Sequence, residues 1–186
     1  MLSSENRWVS SLREFRAPRV IAFCGVMCAL AVILGAASIN VGPYIKVGLS
    51  GLPNQVVDYL FGPAAGAIFS GALEVIKFTV RPDGIYFPGF TLSSILAGLI
   101  YGGILYRRPL TLLRVFVAHL CVKVFINIGC NTLWLIILYR KAVAVILPAR
   151  VMTNLVRLPV DVVVTFIILR IVERVILPIF RNSLDR

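Results

Sequence analysis

Polar side chains inside the apolar stretches of this chain are the residues whose types and spacing could do chemistry. Asn127 and Asn131 are four residues apart, so on a helix they share one face, and Trp134 follows about one turn later. Amides can satisfy the donors and acceptors of a heterocycle while an indole stacks on its plane. This face is predicted to be a binding wall, and hydrogen bonding between helices is the alternative interpretation.

Cations near apolar segments form a second group of candidates. Lys77, Arg81 and Arg150 flank two predicted outer loops. A cation near hydrocarbon costs about 2.5 to 3.5 kcal/mol on insertion scales, so these residues are expected to have a partner. A cationic outer pocket predicts an anionic ligand. For Lys141 and Arg157, snorkelling toward lipid headgroups is an equally good interpretation.

Two predicted outer loops could close over a ligand as a roof. One is the Gly-rich segment SINVGPYIKVGLSGLP, and the other is RPDGIYFPGF, which joins a basic residue to a Pro-Asp-Gly turn and an aromatic cluster. Aromatic residues at this depth also fit an interfacial belt. The loops add three candidate ligand contacts: Tyr44, Lys46 and Phe90.

The composition of the chain indicates the kind of fold that positions these residues. The chain has 186 residues, of which 59% are hydrophobic and 15% charged, with a mean hydropathy of +0.93. It is predicted to be an all-α integral membrane protein with six transmembrane helices and no room for a soluble catalytic domain. The second span is short, so it is extended by the preceding loop or packed inside the bundle. The predicted spans are 17–38, 50–61, 63–80, 90–106, 110–138 and 150–177.

Charge asymmetry predicts the orientation, because Lys and Arg near span ends collect on the cytoplasmic side. Both termini are therefore expected in the cytoplasm, with a cytoplasmic segment at 1–16, one membrane domain at 17–180 and a cytoplasmic tail at 181–186. No removable signal peptide is predicted. The residues on the cytoplasmic side are Arg7, Arg13, Arg16, Arg19, Arg107, Arg108, Arg114, Arg170, Arg174, Arg181 and Arg186.

Several functions are disfavoured by what the sequence lacks. There is no G-x-x-x-x-G-K-[ST] phosphate loop, no H-E-x-x-H and no G-x-S-x-G motif. The single histidine, His119, has no acidic partner at catalytic spacing, and the four cysteines lie in apolar runs where they act as small hydrophobes. We predict no enzyme activity, no metal, no cofactor and no nucleic-acid partner. Glu74 is expected to pair with Lys77 across one turn.

Small residues on the first span predict close packing against another helix. Gly25 with Ala29 and Ala31 with Gly35 are small-x-x-x-small pairs that allow backbones to approach in lipid. Internal packing would explain such pairs. Docking to a larger membrane partner is the other interpretation.

Four segments together resemble a known family. They are FGPAAGAIFSGALEVIKF, RPDGIYFPGFTLSSILAGLIYGGILYRR, NTLWLIILYRK and PARVMTNLVRLP, within about residues 20 to 175. This combination is similar to the folate-specific substrate-binding subunits of energy-coupling factor transporters. The resemblance implies a six-helix vitamin-binding protein of the bacterial cell membrane. It also implies association with a membrane coupling subunit and two cytoplasmic ATPases, which would account for the absent ATP site.

The resemblance also implies roles for individual residues. Asn131 and Trp134 fall in the NTLWL segment and become the leading pterin contacts, while Arg81 and Arg150 suit the glutamate carboxylates of folate. Gly25 and Ala29 match the family's Ala-x-x-x-Ala docking motif, with Gly in place of the first Ala.

Other interpretations remain open at this point. The same architecture could bind riboflavin or thiamin. The positive charge of thiamin would fit a cationic outer pocket badly, and riboflavin has no anionic tail that needs such a pocket. A membrane enzyme acting on an anionic lipid would need an acidic cluster or a nucleophile and base, and Asp58, Glu74 and Asp161 are scattered. A protein that serves only as a structural scaffold would not need the cationic outer pocket.

Overall fold

Helices joined by short connections account for most of the part of the chain that the structure, a computed structural model, describes: residues 17–36, 39–41, 45–47, 49–82, 86–139 and 143–176. The predicted helical membrane architecture is confirmed at this level. One short antiparallel hairpin, β1 with β2, was not predicted, and it pairs Asn40 with Lys46. The elements are α1 Pro18–Ala36, β1 Ile39–Val41, β2 Ile45–Val47, α2 Leu52–Val80, α3 Pro88–Leu105, α4 Leu112–Cys121, a π-helical segment Val122–Cys130, α5 Asn131–Tyr139 and α6 Val143–Val175.

The α2 element folds back on itself at Gly62. Gly62 has φ 86° and ψ −173°, a conformation that favours glycine, and Pro63 follows it without a backbone donor. Residues 8 apart on a straight helix lie about 12 Å from each other, yet the Asp58 carboxylate packs on Gly66. Asn54 Nδ2 likewise donates to Ser70 Oγ at 3.3 Å across 16 residues. The element is therefore two antiparallel limbs, α2a (52–61) and α2b (63–80).

The α2a limb lies inside the bundle. At 1.5 Å per residue it is about 15 Å long, half of a hydrocarbon core of about 30 Å. Every residue from 55 to 63 is buried. This burial supports the second interpretation of the short second span, which is that it packs inside the bundle.

Glycines let α3 approach α2 closely. A Cβ at Gly102 would lie 2.5 Å from Pro63 Cα, and a Cβ at Gly98 would lie 2.8 Å from the Gly66 carbonyl oxygen. No side chain fits at either position, so these two glycines serve packing between α3 and α2.

Residues 112–139 run as one continuous helix with a π-helical middle. The Asn131 N–H bonds to the Ile126 carbonyl, five residues back instead of four. The α6 helix is also longer than predicted. It begins at Val143, seven residues before the predicted start of the sixth span at 150, and it contains Pro148 and Pro159. Proline is tolerated within a membrane helix where neighbours satisfy the freed carbonyls.

Four helices in the described residues are long and apolar enough to cross a membrane: Pro18–Ala36, Leu52–Val80, Pro88–Leu105 and Leu112–Leu138. Large apolar side chains point outward on several of them, including Ile33 at 65% exposure and Leu113 at 70%. Such a surface is unstable in water and stable against lipid. The chain is a multi-pass membrane protein.

Candidate functional site

A cavity of 1190 Å³ lies between the helices. It is bounded by the end of α1, residues 49–52, α2, the segment 86–90, and facing side chains of α3, α4, α5 and α6. This volume is somewhat larger than the usual range for ligand pockets, which is about 300 to 1,000 Å³. Apolar and aromatic walls, among them Phe78, Phe87 and Phe90, alternate with a small number of polar groups.

One end of the cavity is closed by a chain of buried hydrogen bonds. Thr165 Oγ1 donates to Gln55 Oε1 at 2.7 Å, so it accepts from His119 Nε2–H at 3.1 Å. That tautomer leaves His119 Nδ1 to accept from the Tyr101 hydroxyl at 3.0 Å. The chain fixes the Gln55 carboxamide, which lines the cavity, with its oxygen toward Thr165.

An ionic group lies beside this network. Lys123 Nζ is 2.7 Å from Asp161 Oδ2, and Arg157 Nη2 is 3.7 Å from Asp161 Oδ1. All three residues line the cavity. The Lys123 side chain is only 8% exposed. Among the described residues, this part of the wall holds two cations and one carboxylate, and the cations can donate to ligand atoms that accept hydrogen bonds.

Polar residues at helical spacing connect the long central helix to α6. His119, Lys123 and Asn127 follow each other at intervals of four residues, and each has a partner on α6. His119 bonds to Thr165, Lys123 to Asp161, and Asn127 Nδ2 to Asn154 Oδ1 at 3.2 Å. We call these three contacts the polar ladder. Because lipid offers no hydrogen-bond partners, the ladder fixes the rotation of both helices.

Lys77 and Arg81 lie on α2b and at its end, and both line the cavity. Lys77 Nζ donates to the Ser50 carbonyl at 3.2 Å, and Arg81 Nη1 donates to the Ala36 carbonyl at 3.5 Å. Glu74, one turn before Lys77, accepts from Ser94 Oγ at 3.3 Å. These two cations therefore face the cavity from the side of the connection between α1 and α2.

The structure brings together four of the residues that the sequence predicted to bind ligand. Lys77, Arg81, Phe90 and Asn127 all line the cavity. Tyr44 lies outside the described residues. For Lys46 only the backbone in β2 is described, where it pairs with Asn40.

The other three predicted contacts lie one layer behind the cavity wall. Trp134 Nε1 donates to Ser93 Oγ at 3.0 Å, and its ring packs on Phe87 at 5.7 Å between centroids. Asn131 Nδ2 donates to Asn127 Oδ1 at 3.4 Å. Arg150 Nη1 donates to the Asn127 carbonyl at 3.0 Å. Each of these side chains thus touches a residue that lines the cavity.

The two small-residue pairs of α1 face in different directions. Gly25 and Ala29 are exposed, and a Cβ at Gly25 would meet nothing within 4 Å. Ala31 is completely buried, and Gly35 lines the cavity. Of the two interpretations of such pairs, internal packing fits Ala31 and Gly35, and docking to a partner stays a prediction that the exposed pair Gly25 and Ala29 can serve.

Sequence reasoning did not assign the residues that close the cavity. Gln55, Tyr101, His119, Lys123 and Thr165 line it. The four-residue spacing of His119, Lys123 and Asn127 on an apolar helix was the available signal. The spacing of Arg157, Asp161 and Thr165 was the matching signal on α6.

Comparison with known proteins gives consistent matches. The family model for the ECF transporter substrate-specific component matches residues 19–169. A folate transporter FolT of Clostridium novyi (strain NT) is 33% identical over 132 residues, covering 71% of this chain and 77% of that protein. A folate transporter FolT of Leuconostoc mesenteroides subsp. mesenteroides is 27% identical over 158 residues, covering 81% and 84%. A crystal structure of FolT bound with folic acid superposes with a TM-score of 0.73 at 31% identity, covering 80% of this chain and 90% of that one.

Proposed function

The chain belongs to the substrate-specific components of ECF transporters, and we propose that within this family it captures folate at the outer face of the membrane. It is a transporter component and not an enzyme. Delivery of the vitamin to the inside then depends on an ATP-driven partner complex. The similarity to a folic acid-bound FolT over most of both chains supports this ligand. The same similarity disfavours the alternative ligands riboflavin and thiamin.

The observation that carries the proposal is the distribution of polar groups around the cavity. Lys77 and Arg81 are four residues apart, so they present two cations on one side. Gln55 and Asn127 offer amides elsewhere on the wall, with aromatic rings between. Folate has a flat, hydrogen-bonding pterin at one end and two carboxylates at the other. We assign the carboxylates to Lys77 and Arg81, and the pterin to the amide-bearing end.

Asn131, Trp134 and Arg150 act in this proposal by positioning the wall. Asn131 and Arg150 both bond to Asn127, and Trp134 packs on Phe87. A shift of any of them would move a lining residue. Tyr44, Lys46 and Phe90 keep their predicted roles as contacts from the outer segments.

We infer six helical segments within the membrane, with both termini in the cytoplasm of a bacterial cell. Counting α2a and α2b separately, and counting 112–139 as one helix, supports this number. Arg107 and Arg108 lie between α3 and α4, and Arg114 lies in the first turn of α4. The positive-inside rule puts them on the same side as Arg170 and Arg174 at the end of α6. The segments 1–16 and 181–186 lie outside the described residues.

The proposed partners are a membrane coupling subunit and two cytoplasmic ATPases. Gly25 and Ala29 support this, because they form an open face of small residues on α1 where another helix backbone can approach closely.

Titration calorimetry on detergent-purified protein tests the ligand. Folic acid should bind with one molecule per chain, while riboflavin and thiamin at the same concentrations give no saturable heat. Preferential binding of either other vitamin would contradict the proposal.

A further inference from the structure

A second polar site lies between α2a, α2b and α3, outside the residues that line the cavity. Asp58 is completely buried at 0% exposure. Its carboxylate packs on Gly66 of α2b, where a Cβ would overlap it. Asn54 lies one turn earlier on α2a and donates from Nδ2 to Ser70 Oγ at 3.3 Å. These side chains form one contiguous cluster between the two limbs.

The cluster has an excess of acceptor atoms. Among the described residues, both carboxylate oxygens of Asp58 and the Oδ1 of Asn54 are buried without a hydrogen-bond partner. None of the ion pairs in the described part of the chain includes Asp58. A buried, ionised carboxylate without a partner costs several kcal/mol or more. Either a bound cation or a proton on Asp58 removes this cost.

Two further oxygens lie on α2b next to this cluster. A Cβ at Gly98 would lie 2.8 Å from the Gly66 carbonyl oxygen and 2.9 Å from Ser70 Oγ, so both oxygens lie where α3 meets α2b. The missing side chain at Gly66 leaves room for the Asp58 carboxylate, and the missing side chain at Gly98 leaves room for these two oxygens. The result is a set of carboxylate, amide, hydroxyl and carbonyl oxygens beside a broken helix, which is the donor set of hard cations.

We propose that Asn54, Asp58, Gly66 and Ser70 bind one small monovalent cation, with sodium as the fitting ion. The charge argument selects a monovalent ion, because the cluster supplies a single carboxylate and a divalent ion would leave a net positive charge buried. Oxygen donors without nitrogen or sulfur select against soft metals. The bound ion joins α2a to α2b and stabilises the fold of the inner limb. The site does not depend on the identity of the vitamin.

Thermal unfolding of the detergent-purified protein tests the site. Sodium chloride is exchanged for choline chloride at constant ionic strength and pH, and the unfolding midpoint is followed as sodium is titrated. A saturable rise on the order of 5 to 10 °C is expected at sodium about 100 times its dissociation constant. Asp58→Asn should abolish the rise, because it replaces the carboxylate with an uncharged group of the same shape.

Two further variants keep the test decisive if Asp58→Asn does not fold. Ser70→Ala removes one ligand oxygen and should move the sodium titration to higher concentrations. Glu173→Gln removes a carboxylate that pairs with Arg170 on α6 and bonds to Tyr59 on α2a, so it changes a contact of the same limb outside the cluster and should keep the sodium response. An equal midpoint in sodium and choline overturns the proposal, as does a sodium response that survives Asp58→Asn. A midpoint that follows pH and not sodium, and loses that dependence in Asp58→Asn, also overturns it, because a proton then occupies the site.

Discussion

The Lys123 ammonium lies 2.7 Å from the Asp161 carboxylate, and this ion pair joins the π-helical segment to α6 in the wall of the cavity. The pair is the middle contact of the polar ladder. With the contacts on either side of it, it sets which faces of the two helices look into the cavity.

Asp161→Asn should lower the free energy of unfolding by about 3 kcal/mol, because the buried Lys123 ammonium then loses its carboxylate. The expected cost is at the lower end for a broken buried pair, since Asp161 is 27% exposed. Thermal unfolding in detergent measures the effect. Adding Lys123→Met to the variant should recover part of the loss, and an unchanged midpoint for Asp161→Asn alone would contradict the buried ion pair.

Thr165→Val should disrupt the hydrogen-bond chain that holds Gln55. The substitution leaves His119 Nε2 and Gln55 Oε1 without this partner, which costs about 1 to 3 kcal/mol for a buried polar group. Calorimetry should show weaker folate binding because the Gln55 carboxamide is no longer fixed. Thr165→Ser keeps the hydroxyl and should keep the affinity. Equal folate affinities for Thr165→Val and Thr165→Ser would show that the orientation of Gln55 does not affect ligand binding.

Arg81→Gln should weaken folate binding by about 10- to 100-fold, because a charge-assisted hydrogen bond contributes about 1.5 to 3 kcal/mol. Pteroic acid lacks the glutamate, so its affinity should fall much less. Arg170→Gln removes an exposed cation paired with Glu173 and serves as the control with the same charge change. An equal loss for both ligands would place Arg81 away from the carboxylates.

Two adjacent glycines on α3 should respond oppositely to alanine. A Cβ at Gly102 would lie 2.5 Å from Pro63 Cα, whereas one at Gly103 would meet nothing within 4 Å. Gly102→Ala is expected to cost about 1 to 3 kcal/mol through overpacking, while Gly103→Ala should be neutral or stabilise by up to about 1 kcal/mol. Unfolding midpoints of the two variants, compared with the unmodified protein, check this. Similar midpoints would contradict the close approach of α3 to the turn in α2.

Gly25→Leu should abolish vitamin uptake in cells while folate binding to the purified protein is unchanged. The reason is that Leu fills an open face of α1 without touching the cavity. Gly103→Leu places the same bulk on another open face and should leave uptake intact. Uptake that survives Gly25→Leu would show that this face does not contact the coupling subunit.

Apolar runs and turn residues were sufficient to predict the helices, because a membrane span needs a long apolar stretch. Gly62 and Pro63 marked the turn between the limbs of α2, since glycine adopts positive φ and proline lacks the donor. The start of α6 was predicted too late in the chain, because Pro148 lies inside the helix and membrane helices tolerate proline. The β1–β2 hairpin was not predicted, because strands of three residues are too short to show an alternation of apolar and polar side chains.

The site was only partly predictable for a physical reason. Asn127 and Asn131 were expected to share a face, and Asn131 Nδ2 does donate to Asn127 Oδ1 at 3.4 Å. Of the two, Asn127 lines the cavity and Asn131 lies behind it, because the packing of neighbouring helices decides which residue of a face reaches the cavity, and spacing along one helix does not contain that information. His119 seemed isolated because its partner Thr165 is 46 residues away and on another helix.

A structure of the purified protein with folate bound tests the central claim most directly. The account predicts the vitamin inside the 1190 Å³ cavity, its carboxylates within hydrogen-bond distance of Lys77 and Arg81, and its pterin beside Gln55 and Asn127. Folate bound elsewhere, or with its carboxylates at the Gln55 end, would contradict the account.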